Sequence, residues 1–163
     1  ATRGNLITSL HIGIDELEAH IRHLEAKYKR AEECEARAEE FCLDDAEIVL
    51  VGYGIVGRIL KAVTVEARAE GLRVGVLRPI SLYPFPTAQT RRAAAHATVF
   101  AVVEMSTGQM VDDVRLALNG IRPVEFYGRC GGNVPSHDEV LQLVRKLAQT
   151  HAPAVEKEQM VHA

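Results

Sequence analysis

The residues whose types and spacing could do chemistry begin with a glycine cluster. Glu47-Ile-Val-Leu-Val-Gly52-Tyr-Gly54-Ile-Val-Gly57-Arg58 carries a β-branched run into Gly-x-Gly-x-x-Gly and opens a helical pattern at once. This spacing fits the dinucleotide fingerprint. One glycine makes the turn, one admits a pyrophosphate, and one lets helix meet strand. A helix N-terminus offers free N–H groups and a positive dipole end, so Gly52, Gly54 and Gly57 are candidate anion-binding residues. The fingerprint also asks for an acidic residue about twenty positions on. Here that neighbourhood reads Leu77-Arg78-Pro79. Arg78 could answer a 2′-phosphate, which keeps a stand-alone NADP-binding, Rossmann-like protein as an alternative. Against it, the chain has room for four strands where the full fold has six, and it holds no substrate half. The favoured reading is a tight packing turn.

The other candidates are weaker. Glu47 and Glu104 fall at opposite ends of their strands and make no carboxylate pair. Ser81 and Ser106 lack a histidine placed by a nucleophile motif. His20 and His23 stand three apart with no third ligand near them, and Cys34, Cys42 and Cys130 form no C-x-x-C. No catalytic residue, metal site or cluster site is therefore expected. Arg78, Arg115 and Arg129 could bind anions or carboxylates, although a surface or interface salt bridge is the favoured reading of each. Tyr83 and Phe85, set between prolines, make a rigid apolar display suited to an interface.

Composition sets the frame for these residues. The 163 residues are 47% hydrophobic and 25% charged, with a net charge of -3. That is an ordinary globular balance with no basic footprint for nucleic acid. No apolar run approaches the ~20 residues of a membrane span, and the first residues carry no signal-peptide pattern. The expectation is a cytoplasmic protein with reduced thiols. A start at Ala1 suggests a fragment or a processed piece.

The elements follow in order. A lead segment is followed by a helix over residues 15–40, ~39 Å long at 1.5 Å per residue. Leu17, Ile21, Leu24, Tyr28, Ala31 and Ala38, interrupted by Glu35, form its narrow seam, and opposite charges recur four apart. This helix is expected to link domains; a non-enzymatic scaffold dimerising through it is a further alternative. Four strand–loop–helix units follow, with strands at Ile48–Val51, Arg73–Leu77, Val99–Val103 and Val124–Tyr127. Helices start after Gly57, at about Thr87, at a capping box of Ser106 and Gln109, and at a second box of Ser136 and Glu139. The expected domains are residues 1–43 (lead and linker helix), 44–150 (an α/β domain) and 151–163 (a flexible tail).

Strands alternating with helices imply a mainly parallel sheet covered on both faces, three layers in α/β/α order. Its expected strand order is second, first, third, fourth. The unusual segments GYGIVG, LRPISLYPFP, EMSTGQM and GRCGGNVP all follow a strand and precede a helix. They therefore gather at the carboxyl edge, where open α/β sheets place ligands or partners.

Taken together, LRPISLYPFP, VVEMSTGQMVDDVRLALNG and VEFYGRCGGNVPS resemble the alpha subunit of 2-oxoacid:ferredoxin oxidoreductases, in its transketolase C-terminal-like domain. The lead-in DELEAHIRHLEAKYKRAEE with DDAEIVLVGYGIVGRILK is similar to the 2-oxoisovalerate (branched-chain) type. Gly57 and Ser106 depart from the family's usual residues. The resemblance implies a complex that converts a 2-oxoacid and CoA to acyl-CoA and CO2 on thiamine diphosphate with Mg²⁺, passing electrons through 4Fe–4S clusters to ferredoxin. It implies that this chain binds no cofactor itself. Its partners would be the beta, gamma and ferredoxin-like delta subunits, with a homodimer contact left open and no nucleic acid or membrane partner. The carboxyl-edge interface would be made by Arg78, Tyr83, Phe85, Glu104, Gln109, Met110, Arg115 and Arg129.

Overall fold

Ile48-Val-Leu-Val51 is apolar at every position, so both faces of that strand must be covered. In the computed structural model, which describes Gly4 and residues 10–151, they are. The order is α1 (Ile14–Glu35), β1 (Ala38–Phe41), β2 (Ile48–Val51), α2 (Gly54–Ala69), β3 (Val74–Pro79), α3 (Thr87–Ala93), β4 (Val99–Glu104), α4 (Met110–Leu118), β5 (Val124–Gly128) and α5 (His137–Thr150). Ile48 and Leu50 face a core closed by Leu60 and Val63 of α2 and by Val140 and Val144 of α5. Val49 and Val51 face the opposite core, closed by Ala93 of α3 and by Val111 and Val114 of α4. The three-layer α/β/α architecture is thus the expected one.

The sheet order is β1-β3-β2-β4-β5. Its four parallel strands keep the order anticipated from the sequence, and β2 pairs with both β3 and β4. The correction is a fifth strand. Ala38–Phe41 pairs antiparallel with β3, Ala38 opposite Pro79 and Phe41 opposite Val76. The expected helix over 15–40 therefore stops at Glu35, and the sheet unit begins at Ala36 rather than at 44.

Side-chain partners explain the switch from helix to strand. Glu39 and Phe41 point to the α2 face, where Lys61 pairs with Glu39 and lies 5.8 Å from the Phe41 ring centroid. Ala38 packs in the α3–α4 core, and Glu40 reaches Arg92 of α3 at 3.1 Å. Four residues of period two are too short to register against a charged helical pattern that runs straight into them. The same pairing draws Arg78 and Pro79 into β3. Pro79 is tolerated there because it sits at the strand's last position, opposite the edge strand's first residue.

The remaining expected elements form. Asn119 ends α4 in the left-handed region at φ 47. Ser136 caps α5 in the predicted box, its hydroxyl accepting from Glu139 N–H at 3.2 Å. Of the lead segment only Gly4 and residues from 10 onward are described. The expected tail lies outside the described residues apart from His151.

Candidate functional site

All four strand-to-helix segments follow parallel strands and so lie on the carboxyl edge of the sheet, and two of them, after β2 and after β4, border a crevice. Tyr53, Gly54, Ile55, Val56, Val103, Glu104 and Met105 line a space of about 130 Å³. Gly54 takes φ +60 and begins α2 with nothing within 4 Å of an added Cβ. Gly52 and Gly57 are filled from inside the protein. A Cβ on Gly52 would stand 2.7 Å from Leu60 Cδ1, and one on Gly57 would stand 2.6 Å from Arg78 Cδ. Two of the three glycines thus serve packing, and the crevice is smaller than the ~300 Å³ lower range of ligand pockets.

Arg78 is committed elsewhere. Its Nε donates to Glu39 Oε2 at 2.7 Å. Lys61 first and Arg78 second hold the Glu39 carboxyl below the ordinary range. The acid missing after β3 is thus supplied by its antiparallel neighbour β1, and the guanidinium makes an ion pair within the domain. Arg115 pairs with Asp112 at 3.3 Å on the exposed side of α4. Arg129 pairs with Glu139, and its N–H donates to Glu104 O at 3.0 Å, closing the last loop onto β4. Ser136 N–H is the main group that lowers the Glu139 carboxyl's affinity for a proton, with Tyr127 and Arg129 adding to it.

Glu104 corrects the sequence reading most. It is only 3% exposed, so it offers no contact surface in this fold. Its carboxylate accepts from Gln109 N–H at 3.2 Å, Met110 N–H at 3.1 Å and Val111 N–H at 2.9 Å. Ser106 Oγ donates to it at 3.0 Å and accepts from Gly108 N–H. The predicted box of Ser106 and Gln109 does not form, and Gln109 lends no side-chain cap. A carboxylate from the end of β4 satisfies the free N–H groups of α4 instead, at the helix end where negative charge is favoured. Ser106 is a strut of this cap, not a nucleophile. Met110 is likewise 3% exposed and belongs to the core. Burial first, then Asp112 and Glu104, raise the Asp113 carboxyl's affinity for its proton.

What the edge does present is apolar surface. In LRPISLYPFP, Ile80 is 56% and Tyr83 73% exposed, with Leu82 between them also exposed. Ser81 fixes this display. Its hydroxyl accepts from Arg37 N–H at 2.8 Å and donates to Pro84 O at 2.8 Å. Phe85 turns inward against the α3–α4 core. Tyr53 and Ile55, Met105 and Val134 add exposed apolar groups from the other three segments. Among the described residues of the sheet unit, seven exposed large apolar side chains therefore stand on the four edge segments, against three elsewhere (Val65, Leu116 and Ile121). Of the expected interface residues, Tyr83 and Gln109 stand exposed at the edge and Arg78 and Arg129 are partly exposed in ion pairs. Tyr53, Ile55, Ile80, Leu82, Met105 and Val134 also stand exposed on these segments and were not among the expected residues. Their signal was the apolar residue carried inside each unusual segment.

The domain is an open α/β unit whose carboxyl edge exposes apolar side chains, while Arg78, Glu104 and Arg129 there are engaged in its own cap and ion pairs. The chain belongs to the family of the pyruvate:ferredoxin oxidoreductase core domain II, which matches residues 46–140. It is 48% identical over 147 residues to the ketoisovalerate oxidoreductase subunit VorB of Methanothermobacter thermautotrophicus, covering 90% of this chain and 42% of that subunit. The chain thus spans less than half the length of that relative. Its fold matches a 2-oxoglutarate:ferredoxin oxidoreductase from Magnetococcus marinus solved with 2-oxoglutarate, coenzyme A and succinyl-CoA bound. The TM-score is 0.68 at 16% identity, covering 83% of this chain and 24% of that one. A split-gene transketolase solved as an inactive beta4 tetramer also shares the fold, with TM-score 0.60 at 17% identity over 71% of this chain and 42% of that one.

Thiamine diphosphate with Mg²⁺ does not fit the residues present. The crevice is small and mainly apolar, and it is backed by the buried Glu104 carboxylate, which would oppose a diphosphate. Among the described residues no group of three or more His, Cys, Asp or Glu side chains could hold a metal ion. Among the same residues, no helix is long and apolar enough to cross a membrane.

Proposed function

We propose that this chain is the C-terminal, transketolase-like domain of the alpha-type subunit of a 2-oxoisovalerate:ferredoxin oxidoreductase, and that its role there is assembly. The observation that carries the reading is the 48% identity over 147 residues to a ketoisovalerate oxidoreductase subunit. The whole enzyme would convert the branched 2-oxoacid and CoA to acyl-CoA and CO2, with electrons leaving to ferredoxin. Thiamine diphosphate and the iron–sulfur clusters, held by other parts of the complex, supply the decarboxylation and electron-transfer chemistry. The exposed apolar groups of the four edge segments support a docking role, because a monomer rarely gathers such residues on one rim without a partner. The beta, gamma and ferredoxin-like delta subunits are the partners in this reading, and α1 links the domain to the rest of its subunit. A cytoplasmic place goes with it.

The test is reconstitution. The full alpha subunit carrying this domain, purified with its partner subunits, is expected to reduce ferredoxin with 2-oxoisovalerate and CoA, faster than with pyruvate or 2-oxoglutarate. Turnover with pyruvate or 2-oxoglutarate but not with a branched 2-oxoacid would overturn the substrate assignment. Micromolar NADP⁺ binding to the isolated chain, lost in Gly54→Val, would replace the whole reading.

A further inference from the structure

We infer that α1 is a self-recognition element that takes the α1 of a second copy of this chain, parallel and in register. The helix has 22 residues and buries none of them. Its apolar positions follow a heptad, with Ile14, Ile21 and Tyr28 at a and Leu17, Leu24 and Ala31 at d. Ile14 is 85% and Ile21 54% exposed. Ile14 and Ile21 at a with Leu17 and Leu24 at d favour two strands over three or four in a parallel coiled coil. The seam ends where Glu35 takes the next a position, which is also the last residue of the helix.

Charge selects both partner and direction. The e positions are Glu18, Glu25 and Glu32, and the g positions include His20 and Lys27. In a parallel pair each g faces the following e of its partner, so Lys27 of one copy meets Glu32 of the other, twice by symmetry. In an antiparallel pair e faces e and g faces g, which sets glutamate against glutamate. Within one helix, Glu18 is paired with Arg22, and Glu25 with Lys29 at 3.5 Å. Lys27 and Glu32 are both exposed and make no ion pair among the described residues. The one complementary g–e′ pair formed by a lysine is thus the one left available. A two-fold axis along the seam closes such a dimer without further addition. This inference stands apart from the proposed enzyme and would hold for the chain alone.

Sedimentation equilibrium of the 163-residue chain between about 5 and 500 µM, a range that brackets weak association, tests it. The expected result is a monomer–dimer equilibrium abolished by Ile21→Asp. Lys27→Glu, at an exposed position that leaves the fold intact, should raise Kd about tenfold by setting two glutamate pairs face to face. Adding Glu32→Lys should restore it. With Cys34→Ser, Cys42→Ser and Cys130→Ser in place, Ile14→Cys should give a disulfide between the two copies of position 14. A chain monomeric throughout, or a dimer indifferent to Ile21→Asp, overturns the inference. So does a Lys27→Glu dimer as tight as the parent, or failure of the 14–14′ cross-link, either of which would exclude the parallel pair.

Discussion

Replacing Glu104 by glutamine keeps the shape of the side chain and removes its charge, which isolates what the carboxylate does. Three backbone N–H groups at 2.9–3.2 Å and the Ser106 hydroxyl at 3.0 Å all donate to it. A glutamine offers one acceptor oxygen and turns its NH2 donors toward N–H groups that cannot accept. At least one buried bond to a charged group is lost, worth about 1.5–3 kcal/mol. The favourable placement of negative charge at the α4 N-terminus is lost as well, about 0.5–1 kcal/mol. Glu104→Gln should therefore destabilise the chain by about 3 kcal/mol. Urea unfolding followed by far-UV circular dichroism, with an unchanged slope, reads this directly. Ser106→Ala, which removes one donor and leaves the helix N–H groups satisfied, should cost about 1 kcal/mol. A Glu104→Gln chain within about 0.5 kcal/mol of the parent would refute the cap. The same geometry changes how an assembly defect would be read: Glu104→Ala would act through folding, not through a lost contact.

The other predictions concern the glycine turn and pH. Gly54→Ala, at φ +60 but with open space around it, should cost about 1 kcal/mol. Gly52→Ala, whose new methyl would stand 2.8 Å from Val56 Cγ1, should cost about 2–3 kcal/mol; urea midpoints in the reverse order would contradict the packing role. Glu139 and Glu39 have carboxyls lowered from their ordinary 4.5 by hydrogen bonds and cationic partners present only in the fold. A lowered folded value contributes stability above the unfolded value and loses it as pH falls through the folded one. Unfolding midpoints should therefore fall below pH 4.5, and less steeply in Glu139→Gln; equal slopes would contradict the assignment. Asp113 has the opposite sign, raised from 3.8, so its contribution fades as pH rises, and Asp113→Asn should flatten that part of the curve.

Periodicity made the layered sheet legible, because β2 to β5 are apolar runs of strand length set between helices of ordinary amphipathic spacing. The four edge segments were legible for the same reason, since glycine and proline mark where the chain must turn. Three features were hidden because each depends on a partner far along the chain. β1 needs β3 and Lys61 to outweigh its helical charge pattern. Arg78 looked free because its acid, Glu39, precedes it by a whole strand-helix unit. Glu104 resembled an edge contact because the N–H groups that bury it belong to the next helix. The local signal of Ser136 and Glu139 was enough where the box closes on itself, and the similar signal of Ser106 and Gln109 was not, because a stronger acceptor reached the same donors first.

The central claim is that the carboxyl edge docks this domain through apolar surface and not through chemistry of its own. Ile80→Asp with Leu82→Asp, placed in the full alpha subunit and purified with its partners, tests it most directly. Both side chains are more than two-fifths exposed, so the isolated domain should unfold at an unchanged urea concentration. The complex should then dissociate on native mass analysis and lose ferredoxin reduction. Wild-type assembly and turnover in that doubly charged variant would contradict the account.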